Sequence, residues 1–213
     1  MFDLTLKAKI EEIMAQRPRK MVRVSDVLAV IDEESGGCPF FKPTDKQYAE
    51  NLAAAVQITG MAPADIKAAM LIKFGAYNGQ IAKFRVEPGY FKWALNYKKV
   101  FKPQDLIILA CSFGLGQKMA RWLINGVNQK EWIESIRHFM GSQNIQIAYV
   151  IGDLDQLLVG AKGDRQLAFT RYNAGPRASK ASGAFTTYGK PVAEKAEEFE
   201  KQLNPEKINV PIQ

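Results

Sequence analysis

The sequence predicts a mainly α-helical protein on three observations. Apolar residues recur at helical spacing through most of the chain, and few stretches alternate with period two. Stop and start signals fall at helix-length intervals, at Gly36-Gly37, Gly60, Pro63, Pro103 and Gly175-Pro176. With 213 residues, 47% hydrophobic and 24% charged, the chain is long enough for one globular domain with its own core. No internal repeat and no clear linker divides it, so the expectation is a single domain over 1–213. Residues 1–62 are open to reading as a helical extension or insertion.

The elements follow in order. A first helix covers Leu4 to Gln16 and stops near Pro18. Ser25 is a good N-cap for a second, which runs to Ser35 and is ended by Gly36 and Gly37. Thr44 with Gln47 three residues on is a capping-box start for a third, to Ile58, broken by Gly60. A fourth runs from Ala64 to Phe74 behind Pro63. Asn78-Gly79 marks a turn, and Ile81 to Val86 reads as a short strand or extended loop. Helices are then expected over Tyr90 to Val100, Gln104 to Cys111, Lys118 to Ile124, Gln129 to Met140, Asn144 to Val159 and Asp164 to Tyr172, with a turn at Gly114–Gly116. Arg177 to Gly189 is small, polar and basic and reads as a mobile loop. A final charged helix spans Val192 to Leu203.

Composition narrows the function classes. No apolar run reaches membrane-spanning length, so no membrane insertion is expected. Met1 to Lys20 lacks the apolar core and small-residue cleavage site of a secretory signal. The net charge of +7 favours an anionic polymer. Nucleic acid is the lesser candidate, because the cations are dispersed and no zinc-finger, RNP or P-loop signature accompanies them. One His and two Cys without ligand spacing predict no metal site, and no cofactor is expected. A Cys38–Cys111 disulfide and two buried thiols both remain open.

One carboxylate stands out. On a helical wheel Val27, Val30 and Ile31 form an apolar stripe, and Glu34 falls on the same face, while Asp32 and Glu33 point elsewhere. A carboxylate ending a core-facing stripe is costly to ionise. A general acid needs that property, because it must keep its proton until the leaving oxygen arrives.

Three segments carry a family resemblance. Val27 to Pro39, with Glu34-Ser35 closing an apolar helix, looks like the catalytic helix of the soluble lytic transglycosylases of the lysozyme superfamily, which also resemble goose-type lysozymes. Gly114, Leu115 and Gln117 match that family's Gly-Leu-x-Gln turn. Leu167 to Pro176 matches its Ala-x-x-Tyr-Asn-Ala-Gly segment. Asn144-Ile145 resembles its Asn-Ile element, and Thr187-Tyr188 with Val192 the element that closes the fold. The match is best over 111–192.

The resemblance implies a lysozyme-like helical domain. It further implies cleavage of the MurNAc-GlcNAc β-1,4 bond of peptidoglycan by one acid/base, Glu34, leaving a 1,6-anhydro end. Ser35, Gln117, Tyr172 and Asn173 would bind the sugar or shape its cleft. A rival register stays open. More than eighty residues separate Glu34 from Gln117, whereas Arg85-Val86-Glu87-Pro88 resembles the Arg-x-Glu-Pro segment of a phage-type branch at better spacing. In that register Glu87 is the only nearby carboxylate, and the family acid is missing near Phe74 or Gly75.

The expected partners are peptidoglycan glycan strands and the virion or lysis components of a phage, with delivery to the wall by a virion or by release from the cytoplasm. Three other functions stay open: a lysozyme-like muramidase that adds water, a catalytically inactive glycan-binding or virion structural protein, and a basic nucleic-acid-binding module. Trp93, Trp122, Trp132 and His138 read as structural.

Overall fold

The structure, a computed structural model, describes residues 4–16, 19–37, 40–41, 46–67, 81–82, 84–86 and 88–205. Over these residues the chain is mainly α. It folds as two compact units, one made of Met1–Gly37 with Ile147–Gln213 and the other of Cys38–Gln146.

The first unit is helical. Helix α1 (Leu4–Gln16) has the predicted bounds and buries Leu6, Ile10 and Ile13. Helix α2 (Val24–Ser35) buries every residue from Ser25 to Ile31. Its start differs from the sequence expectation. Arg23, not Ser25, is the N-cap, because the Asp26 carboxylate reaches back to accept the Arg23 backbone N–H at 2.8 Å. Ser25 is then helical, and its hydroxyl donates to Glu200 at 2.7 Å. Gly36, left-handed at φ 61°, ends α2 by donating to the Asp32 carbonyl.

The C-terminal part of this unit packs on α2. A long helix (Gln143–Gly160) enters the unit at Ile147 and buries Ile147, Val150, Ile151, Leu154 and Leu158. Its Asp155 accepts the consecutive backbone N–H groups of Lys20, Met21 and Val22, fixing the turn between α1 and α2. A helix at Arg165–Ala174 follows, capped by Asp164, whose side chain accepts from Leu167. The expected mobile loop at 177–189 is instead tied down. Lys180 pairs with Asp164 at 2.7 Å, Arg171 donates to the Ala178 and Gly160 carbonyls, and Phe185–Gly189 winds into a π-helical turn. The last helix (Lys190–Leu203) lies along α2 and buries Val192 and Ala196.

In the second unit, helix α3 (Lys46–Thr59) ends before Gly60, while Thr44 lies outside the described residues. Residues 63–67 are helical, and the rest of the expected fourth helix is outside the described residues. Strands β1 (Phe40–Phe41) and β2 (Ile81–Ala82) pair antiparallel. A three-stranded antiparallel sheet joins β3 (Phe84–Val86), β4 (Cys111–Phe113) and β5 (Lys118–Met119) in that order. Cys111 and Lys118 are therefore strand residues, where helix ends were expected. The later α-helices within this unit are, in chain order, α4 (Pro88–Leu95), α5 (Pro103–Leu109), α6 (Ala120–Leu123) and α7 (Trp132–Met140). The Gln143–Gly160, Arg165–Ala174 and Lys190–Leu203 helices are accordingly α8, α9 and α10.

The core of the second unit gathers Ile66, Ile107 to Cys111, Phe113, Leu123, Ile136 and Phe139. Trp93 stacks on Trp132, whose indole N–H donates to the Val127 carbonyl at 3.1 Å. Both are structural, whereas Trp122 is 51% exposed and His138 lies on the exposed side of α7. Cys111 is buried and its Sγ donates to the Ile107 carbonyl. Cys38 lies outside the described residues, and so does Glu87.

Candidate functional site

The C-terminal end of α2 presents three consecutive acids, and the helix sorts them by face. Asp32 and Glu33 are exposed, and both are held by Lys195 of α10, at 2.7 and 2.9 Å. Lys195 stays protonated more firmly than an ordinary lysine despite partial burial, because those two carboxylates accept its hydrogen bonds. Glu34 is half-buried and turns the other way, onto the π-turn, where the Tyr188 hydroxyl donates to its Oε1 at 2.5 Å. The bond ties the end of α2 to the π-turn. It fixes the carboxylate against rotation.

A second tyrosine completes the group. Tyr172, in the last turn of α9, places its hydroxyl within electrostatic range of the Glu34 and Asp153 carboxylates. Burial pushes the Tyr172 hydroxyl well above the ordinary tyrosine range, and the two negative charges push it further. Tyr188 is also raised, first by burial and then by the Glu34 charge and hydrogen bond. Both hydroxyls therefore stay protonated at neutral pH, and that of Tyr188 donates to Glu34. Three segments far apart in sequence supply this cluster, and all lie within the first unit.

The remaining sequence-predicted residues sit as follows. Ser35 is buried, and its hydroxyl donates back to the Ile31 carbonyl at 2.9 Å. Asn173 is exposed next to Tyr172. Gln117 belongs to the second unit, in the hairpin turn between β4 and β5. Its backbone is left-handed at φ 45°, and its carboxamide serves its own turn, donating to the Gly114 carbonyl at 2.9 Å and accepting from Ser112 at 3.2 Å. Tyr188 is the residue that sequence reasoning did not place at the acid. The only signal for it was the Thr187-Tyr188 likeness to a fold-closing element.

The Gly-Leu-x-Gln turn depends on a buried amide elsewhere. Gln146 accepts the Leu115 N–H at 3.0 Å and donates to the Phe139 and Met140 carbonyls. Gly114, at φ 74°, fits only without a side chain, since a Cβ would lie 2.7 Å from Gln146 Oε1. Gln146→Leu strands the buried Leu115 N–H and is expected to cost about 2 kcal/mol. Because all three tryptophans lie in this unit, urea titration followed by their fluorescence reads the loss directly.

The tyrosines give the first unit an alkaline limit. An acid whose pKa is raised on folding contributes stability that is complete below its unfolded pKa and is lost as pH rises through the folded value. For Tyr172 and Tyr188, both raised, the loss begins near the ordinary tyrosine value of about 10. Thermal melts by circular dichroism are expected to stay level from neutral pH to that point and to fall above it. Tyr188→Phe should flatten the fall, and equal slopes in parent and variant would refute the assignment.

Among the described residues no group of three or more His, Cys, Asp or Glu side chains is placed to hold a metal ion, and no helix is long and apolar enough to cross a membrane. The chain matches no protein-family model, no curated protein and no solved structure.

Proposed function

We propose that this chain cuts the glycan strands of peptidoglycan as a lytic transglycosylase, with Glu34 as its single acid/base. The observation that carries the proposal is the Glu34 carboxylate, held by Tyr188 with the Tyr172 hydroxyl nearby. Protonated Glu34 gives its proton to the glycosidic oxygen between MurNAc and GlcNAc, and the bond from MurNAc C1 to that oxygen breaks, releasing GlcNAc with a free 4-hydroxyl. The resulting carboxylate takes the proton of the sugar's own 6-hydroxyl, whose oxygen closes onto C1. One carboxylate suffices because the nucleophile is internal, in contrast to the two-carboxylate scheme for attack by water. Tyr188 keeps Glu34 aimed through both steps. In this reading sugar is contacted by Asn173, which is exposed, and by Tyr172 beside it. The excess positive charge suits a polymer bearing lactyl and peptide carboxylates. Delivery by a virion or as part of a lysis apparatus accords with the phage-type likeness.

Digestion of purified peptidoglycan, with muropeptides identified by mass spectrometry, tests the proposal. Anhydro-muropeptides are the expected product. Reducing ends would replace the transglycosylase with a muramidase, and no release would leave a glycan-binding or virion structural protein.

A further inference from the structure

Tyr188 reaches Glu34 from an unusual backbone. Phe185–Gly189 is a π-turn closed by the Lys190 N–H on the Phe185 carbonyl, five residues back. Such turns are rare and concentrate at functional sites. The same Phe185 carbonyl accepts a second hydrogen bond, from Gln166 Nε2 of α9 at 2.9 Å. At the other end of the turn Gly189 is buried against α9. A Cβ there would fall on the Thr170 hydroxyl and 2.6 Å from the Gln166 carbonyl. Neither atom yields easily, since Thr170 is fully buried and donates to that same carbonyl at 2.7 Å. The φ of Gly189 is −58°, so the glycine is needed for space and not for backbone freedom.

We propose that this π-turn is a positioning device, in which Gly189 and Gln166 clamp it onto α9 so that Tyr188 is aimed at the Glu34 carboxylate. The physical reason is phase. Helix α10 is fixed by Val192 and Ala196 in the core. Rewinding the preceding turn to α geometry removes one residue from it, which rotates the side chains ahead of α10 by about 100°. Tyr188 then leaves Glu34 while α10 stays in place. Gly189 and Gln166 touch no reacting atom in this scheme and act through Tyr188.

The inference has a spectroscopic side, which stands on the contact alone, and a kinetic side, which rests on Glu34 as the acid. The test uses full-length protein carrying [13Cζ]tyrosine, with the Tyr188 resonance identified by its loss in Tyr188→Phe. In Gly189→Ala and in Gln166→Leu, the Tyr188 alkaline titration is expected to move down toward its ordinary value of about 10. Release of anhydro-muropeptides should fall about ten- to hundredfold in kcat with little change in KM. On a Tyr188→Phe background neither substitution should cost further rate. Gln166→Leu removes one hydrogen bond and puts no new atom between Gly189 and Thr170, so it decides the matter if Gly189→Ala does not fold. An unmoved Tyr188 titration in Gln166→Leu would overturn the device, as would rate losses that add to that of Tyr188→Phe. A parent that cuts no glycan removes the Glu34 reading, and the titration still decides whether the clamp aims Tyr188.

Discussion

Glu34→Gln is expected to lower the rate of peptidoglycan cleavage by about a thousandfold or more while leaving the fold intact. General acid or base assistance by one positioned group is worth about 10²–10⁴-fold, and here a single residue supplies both. The amide keeps the shape of the carboxylate and can still accept from Tyr188, so the loss reads the chemistry and not the packing. Far-UV circular dichroism and the thermal midpoint should match the parent. The neighbouring acids supply the contrast. Asp32→Asn and Glu33→Gln alter groups that face Lys195 and solvent, and each should change the rate less than twofold. If Glu34→Gln retains parental activity and products, the acid lies elsewhere, and Glu87 becomes the residue to replace.

Much of this site was legible because it follows from local rules. The position of Glu34 on the buried stripe of α2, opposite Asp32 and Glu33, needs only helical periodicity and the Gly36 stop. Tyr172 was found through the segment Leu167 to Pro176, whose helix and Gly-Pro end are local features as well. Tyr188 at the acid was not legible. Its aim depends on a π-turn, and the π-turn depends on the fit of Gly189 against Thr170 and on Gln166, contacts that no sequence period records. Gln117 is a different case: its residue type suggests sugar binding, and only the fold reveals that its carboxamide hydrogen-bonds within its own turn. Strands β4 and β5 escaped for a related reason. Cys111-Ser112-Phe113 is buried throughout, and so short a run shows no alternation to separate strand from helix. The Ser25 cap was misplaced because a good N-cap residue was available two residues from a better arrangement, Asp26 reaching back to Arg23.

That Asp26 carries the largest stability effect expected in the first unit. Its carboxylate is fully buried and receives Arg165 Nε at 3.0 Å, Arg23 Nη2 at 3.1 Å and the Arg23 backbone N–H. Arg23 also reaches Glu197 of α10 at 2.8 Å, so one buried acid joins the start of α2 to α9 and, through Arg23, to α10. Asp26→Ala leaves two guanidinium groups facing each other without their shared counter-charge. Removing one partner of a buried ion cluster costs about 3–5 kcal/mol, several times a surface pair. Asp26→Asn keeps an acceptor for the Arg23 N–H and should lose less. Glu197 is more than half exposed, so Glu197→Ala should cost no more than about 1 kcal/mol. Urea unfolding read by helix circular dichroism measures the order Ala, Asn, Glu197→Ala. The tryptophans, all in the other unit, show whether the loss stays in the first. Glu34 and Tyr188 are not partners of Asp26, so activity per folded molecule should hold at low temperature and fail early on heating. A drop in activity at low temperature with stability unchanged would mean instead that Asp26 takes part in the site.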